Sequence, residues 1–156
     1  MDLHVGDPAP YFETSAVGGI YGAGKPVKLT DFRGEVVVLY FYPKDDTPGC
    51  TKQACDLRDS WQEVQSKAEL FGVSVDSTES HEQFIQKYGL PFPLLSDPDH
   101  RMVEDYGVWV EKNSDGKTYL GTERTTFVVG RDQKVAAILR KVSPGDHLDL
   151  LLEHLS

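Results

Sequence analysis

Cys50 and Cys55 are the two thiols of the chain, and Cys50 closes the run Thr47-Pro48-Gly49-Cys50. Threonine is a favoured N-cap and proline a favoured first helical residue. On that reading Gly49 is the second residue of a helix and Cys50 the third. The sulfur then lies in the first turn, close to unsatisfied N–H groups and the positive end of the helix dipole. A helix start stabilises a thiolate, the form of cysteine that attacks electrophiles and binds metals. On these residues alone, inert burial, a metal site and redox chemistry all stay open.

Magnitudes narrow what such a thiol needs. An ordinary thiol, with a pKa of about 8.5, is only about 3% ionised at neutral pH. A thiol with a pKa of about 6 has gained about 3.4 kcal/mol in favour of the anion. A helix terminus contributes about 0.3–1 kcal/mol, and about 2 kcal/mol in the best geometry. A cation or further donors are therefore expected beside the sulfur. Cys55 falls on the same expected helix. Five residues rotate the chain by about 500° and advance it by about 7.5 Å, so the Cα atoms sit on nearly opposite faces, about 8–9 Å apart. Disulfides rarely span more than about 7 Å. A bond between Cys50 and Cys55 thus requires the first turns of the helix to unwind.

The surrounding pattern supplies the frame. Val36–Tyr42 is apolar throughout and β-branched at its start, the mark of a strand buried on both faces, and Pro43 ends it. A helix is expected from Pro48 to Lys67, with Leu57, Trp61 and Val64 at helical spacing. Leu70–Val75 reads as a second strand. Ser80-His81-Glu82-Gln83 has capping-box spacing and opens a helix through Phe84, Ile85 and Tyr88, closed by Pro91 and Pro93. Asp97-Pro98-Asp99 starts a short helix that ends near Tyr106-Gly107. Thr125–Val129 and Lys134–Leu139 read as strands joined by a turn, and Asp146–Leu155 as an amphipathic helix. Short β segments around Tyr11–Ala16 and Val27–Leu29 flank the Gly18–Gly24 loop, and Thr30–Gly34 reads as a turn or short helix. This order gives a three-layer α/β domain over residues 1–156, with a central mixed β-sheet flanked by helices and an N-terminal β extension. The thioredoxin-like fold has this order of elements.

The chain is 156 residues long with a net charge of -9, which suits one acidic domain with a sizeable core. An acidic surface makes nucleic acid and membrane surfaces poor partners. The start, Met1-Asp2-Leu3-His4-Val5-Gly6, has neither the basic start nor the apolar core of a targeting segment. No apolar run approaches a membrane span. A cytoplasmic protein is expected, and there two cysteines are not a structural staple.

Val38 to Asp59, with Pro43-Lys44-Asp45-Asp46-Thr47-Pro48-Gly49-Cys50 and Cys55 five positions on, closely resembles the active-site region of peroxiredoxins of the bacterioferritin comigratory protein, or peroxiredoxin Q, type. The likeness continues through Gly72–Phe84, Leu90–Asp97, Tyr106-Gly107-Val108 and Arg124–Phe127, and Gly6–Pro10 looks like the family's opening. The resemblance implies a thiol peroxidase. Cys50 would be the peroxidatic cysteine, attacking a peroxide oxygen to give a sulfenic acid. Cys55 would be the resolving cysteine, condensing with it to an intramolecular disulfide. Thioredoxin or a similar dithiol would reduce that bond by exchange. By the same resemblance Thr47 bonds the substrate oxygen or the sulfur, Pro43 shields the sulfur from solvent, and Arg124 stands beside the thiolate. Hydrogen peroxide and organic hydroperoxides are the expected substrates, no cofactor is implied, and members of this type are often monomeric.

Other signals carry less. Gly19–Lys25 fits the first part of a phosphate-binding loop, but Pro26 stands where Ser or Thr should bind magnesium. The five histidines show no metal spacing to the cysteines, so no metal is expected. His81 is expected at a helix start rather than as a base. Asp45 and Asp46 are expected to be solvated neighbours of the catalytic loop. A disulfide reductase would use Cys-x-x-Cys, which Cys50 and Cys55 do not match. The alternative of another class is a non-enzymatic peroxide-sensing or binding module of the same fold.

Overall fold

A computed structural model describes residues 3–155; Met1, Asp2 and Ser156, the ends of the single expected domain, lie outside them. The elements run β1 (Glu13–Val17), β2 (Lys25–Lys28), β3 (Val37–Phe41), α1 (Pro48–Asp59), α2 (Trp61–Gln65), β4 (Glu69–Ser74), α3 (Thr78–Tyr88), β5 (Leu94–Ser96), α4 (Arg101–Asp105), β6 (Trp109–Ser114), β7 (Lys117–Thr122), β8 (Thr125–Val129), β9 (Val135–Leu139) and α5 (His147–Glu153). Seven strands form one mixed sheet in the order β2-β1-β5-β4-β3-β8-β9. The β3–β4 and β4–β5 pairs are parallel, and β8 and β9 add antiparallel. β1 and β2 extend the opposite edge, so the expected mixed sheet with its N-terminal β extension is present. Among the described residues β6 and β7 pair only with each other.

β3 shows why the core has two halves. All five of its residues are buried, because helices or loops cover both faces of the sheet. Successive side chains alternate between faces. Val37, Leu39 and Phe41 pack with Phe71, Met102, Val103, Tyr106 and Phe127 on one side. Val38, Tyr40 and Tyr42 pack with Cys50, Ala54, Leu57, Phe84 and Leu151 on the other. Cys50 is thus part of the α1 half of the core.

Three expectations about helices need correction. The helix expected over Pro48–Lys67 breaks at Ser60, whose φ of -114° and ψ of 20° are not helical. The break redirects the chain so that Trp61 packs on Phe92, with ring centroids 5.6 Å apart, while Val64 is buried. The N-cap of α3 is Ser77, whose hydroxyl accepts from Ser80 N; the capping-box reading began three residues late. Its end is Gly89, in the left-handed region at φ 61°, and not the prolines beyond. Two features had no sequence assignment. β5 is only three residues long, and the β6–β7 ribbon is too polar to show a buried face. The Gly18–Gly24 segment is the β1–β2 connection, containing one 3-10 turn. No helix among the described residues is long and apolar enough to cross a membrane.

Candidate active site

The site forms where β3 ends. Tyr42 N still bonds Val73 O, after which Pro43 turns the chain out of the sheet and the loop leads into α1 at Pro48. Pro43 is half-buried in this loop. Cys50 is the third residue of α1, as expected, and only 2% exposed. Both cysteines are free thiols, and one unbroken helix carries them, with Cys55 half-buried.

Thr47 sits at the N-cap, but its side chain does not cap the helix. Its hydroxyl instead donates to Lys44 O at 2.9 Å. The capping role expected beside its chemical one is therefore absent. No side-chain cap competes for the first N–H groups of α1, which leaves them oriented toward charge at the helix start.

Arg124 comes from the other side of β3. It immediately precedes β8, and Val142 N holds its carbonyl at 3.0 Å. Its guanidinium divides its donors. Nη2 points to Cys50 Sγ at 3.5 Å, and Nη1 donates to Gln53 Oε1 at 2.6 Å. The cation asked for by the arithmetic of the thiolate is thus in place. Gly49 permits the approach: a Cβ there would stand 3.1 Å from Arg124 Nη2 and 3.2 Å from Pro144 Cγ.

Sequence reasoning missed Gln53. It lies three residues after Cys50, on the same face of α1, and that spacing was the available signal. Gln53 is buried, and its amide oxygen faces the guanidinium because only the oxygen accepts. Its Nε2 has no partner among the described residues. An orphaned buried donor is costly; holding Arg124 is the compensation visible here.

The floor of the site is aromatic and neutral. Burial, and then the charge of Cys50, push the Tyr40 phenol well above its ordinary range. His147, buried against Thr126 with Nε2 2.8 Å from the hydroxyl, is pushed down to about 4 by burial and then by the Arg124 charge. An open cleft of about 590 Å³, lined by Val110, Lys112, Tyr119, Arg124, Lys141 and Val142 among others, reaches Arg124 from the β6–β7 ribbon. A groove of about 640 Å³ beside Tyr11, Asp97 and Arg101 includes neither cysteine.

Asp45 differs from expectation, while His81 lies in the first turns of α3, at the helix start where it was expected. Asp45 is 7% exposed, and its carboxylate accepts from Tyr42 OH at 2.6 Å and Ser80 Oγ at 2.8 Å, with His81 Nδ1 at 2.7 Å. A carboxylate next to a helix start is solvated only if no donors reach it, and three do. Asp46 stays exposed and pairs with Lys87 and Tyr88.

Comparison with known proteins identifies the family. The profile of the AhpC/TSA family matches residues 5–138. The chain is 47% identical over 150 residues to a putative peroxiredoxin bcp of Coxiella burnetii, covering 95% of each. It is 42% identical over 156 residues to peroxiredoxin Bcp of Bacillus subtilis, covering 99% of this chain and 96% of that one. It is also similar to the bacterioferritin comigratory protein of Xanthomonas campestris, solved in a study of that protein's alkyl peroxide reduction activity. There the TM-score is 0.84 at 37% identity, over 92% of this chain and 89% of the other.

Proposed function

The chain belongs to the AhpC/TSA family and is a thiol peroxidase, and from that premise we propose that Cys50 is its peroxidatic and Cys55 its resolving cysteine. The observation that carries the assignment is Arg124 Nη2 at 3.5 Å from the Cys50 sulfur at the start of α1. Cys50 S⁻ attacks the terminal oxygen of the peroxide. The O–O bond breaks, the sulfur becomes a sulfenic acid, and the alkoxide or hydroxide leaves as alcohol or water after taking a proton.

Arg124 and the first N–H groups of α1 face the charge that develops during this step. The Thr47 hydroxyl has committed its proton to Lys44 O, so toward substrate it acts as acceptor and orients the peroxide O–H. Pro43 limits solvent access beside the sulfur.

The sulfenic acid of Cys50 then condenses with the thiol of Cys55, releasing water and forming the disulfide. A thioredoxin-type dithiol reduces that bond by exchange and leaves as its own disulfide. Both hydrogen peroxide and organic hydroperoxides are proposed substrates. The cleft beside Arg124 gives room for an organic tail. Pairing within one helix makes a monomer sufficient for the cycle. A cycle that must regain two free thiols fits the reducing cytoplasm.

A peroxidase assay coupled to thioredoxin and its reductase tests the assignment. Cys50→Ser abolishes turnover. Cys55→Ser consumes one peroxide per chain and then stalls. Undiminished turnover in Cys50→Ser overturns the assignment, and stoichiometric consumption by the unmodified chain identifies a sensor instead.

A further inference from the structure

α3 holds both ends of the segment that carries the two cysteines. Before α1, Asp45 is bound by Ser80 and His81 from the first turns of α3. The next residue, Asp46, accepts from Lys87 Nζ at 2.8 Å and from Tyr88 OH at 2.7 Å, at the end of α3. In the last turn of α1, Arg58 Nη1 donates to Tyr88 O at 2.8 Å. Tyr88 is therefore bonded to the chain just before the helix and again in its last turn. Asp46 also holds a left-handed φ of 58°, a turn conformation that a short polar side chain tolerates.

His81 is the centre of the buried anchor. It is fully buried, with Nδ1 at 2.7 Å from Asp45 Oδ2 and Nε2 at 2.9 Å from Leu95 O. Both neighbours are acceptors, so both bonds form only when imidazole and carboxylate hold two protons between them. Tyr42 OH and Ser80 Oγ add two donors to the same carboxylate. The backbone N–H of Asp45 donates to Asp76 Oδ2 at 2.8 Å, tying the loop to the turn after β4 as well. Breaking a buried, hydrogen-bonded pair on one side is strongly unfavourable.

Closing the disulfide requires the helix between the cysteines to open. The reaction is Cys50–SOH plus Cys55–SH giving Cys50–S–S–Cys55 and water. We propose that α3 is the fixed frame for this step: it anchors the chain at Asp45, Asp46 and Arg58, and the unwinding is confined to the residues between the last two. His81 is then a positioning residue. It touches no reacting atom; by tethering one end of the opened segment it restricts that segment's freedom, and so sets how readily the intact helix gives way to the opened one. This inference rests on the roles proposed for Cys50 and Cys55.

Hydrogen exchange on the unmodified protein, reduced and after one equivalent of peroxide, tests the frame. Amides of residues 51–57 are expected to lose protection by roughly tenfold or more, while those of 81–88 keep theirs. Loss of protection in α3, or retention in 51–57 with the disulfide formed, overturns the proposal. Absence of a Cys50–Cys55 disulfide by mass spectrometry refutes the assignment of Cys55 instead.

His81→Gln provides a second readout, the partition of the sulfenic acid between disulfide and sulfinic acid at raised peroxide. Loosening the anchor should shift that partition roughly fivefold toward the disulfide. Asp46→Asn, a change at an exposed site that tolerates the left-handed backbone, should shift it the same way, and it decides the matter if His81→Gln does not fold. An unchanged partition in the folded variants overturns the role of the anchor.

Discussion

Gln53 Oε1 accepts a 2.6 Å hydrogen bond from Arg124 Nη1, and the same guanidinium holds Nη2 3.5 Å from Cys50 Sγ. The cation is thus fixed from the helix that carries the thiol. Gln53→Leu removes this support and, with it, a buried donor that has no partner among the described residues, so stability should change little. The rate of sulfenic acid formation should fall about tenfold. Stopped-flow kinetics beside a thermal melt separates the two effects; equal loss of rate and stability contradicts the positioning role.

Arg124→Ala should lower the second-order rate with peroxide by about 100–1000-fold. The loss should exceed what the change in thiolate fraction predicts, because the guanidinium also faces charge leaving with the oxygen. Following the thiolate by ultraviolet absorbance across pH, with the rate measured in parallel, makes the comparison. A rate that simply tracks the thiolate fraction would sink the second role.

Thr47→Val keeps the shape of the N-cap residue and removes its hydroxyl. Because that hydroxyl bonds Lys44 O and not the helix, helix content by circular dichroism should hold. The peroxide step should slow by about a hundredfold, and Thr47→Ser should restore most of it. Loss of helix in Thr47→Val would show that capping was its contribution after all.

Gly72 lies under the aromatic floor. A Cβ at that position would stand 2.7 Å from Tyr40 Cζ, 2.8 Å from Tyr40 Cε2 and 2.7 Å from Leu94 Cδ2. Gly72→Ala must displace the Tyr40 ring and the Leu94 side chain. A destabilisation of about 1–3 kcal/mol is expected, read as a Tm lower by about 5 °C. An unchanged melt would mean that the ring moves freely.

His147 makes stability depend on acid. Its value of about 4 in the fold lies below the 6.5 of a free imidazole. From about pH 6.5 downward the unfolded chain takes up a proton that the folded chain refuses, so stability falls as pH falls. Near pH 4 the folded form protonates too and the loss is complete, at about 3 kcal/mol. His147→Gln should flatten the Tm profile in that window. A profile with the same slope in the variant would assign the acid sensitivity elsewhere.

The sequence carried the chemistry because chemistry here is local. A proline and a threonine beside Cys50 fix a helix start, and a helix start orients N–H groups whatever surrounds it. Val36–Tyr42 showed a buried central strand for a similar reason: an apolar run with no polar face is covered on both sides. The β6–β7 ribbon stayed hidden because its residues are mostly exposed and carry no alternation. Asp45 and Asp46 looked alike in sequence, and only packing made one buried and the other exposed.

By itself, then, the sequence determined that a thiol sits at a helix start, that one helix carries both cysteines, and that an ionised thiol there needs a cation beside it. Arg124 could be named only through likeness to a family, since 74 positions separate it from Cys50. The tertiary structure decided what meets what across that distance. The pairing of β3 with β8 brings Arg124 to the thiol, Gln53 aims it, and α3 grips the loop through His81. Such contacts depend on the register of strands and the packing of helices, and spacing along the chain does not encode them.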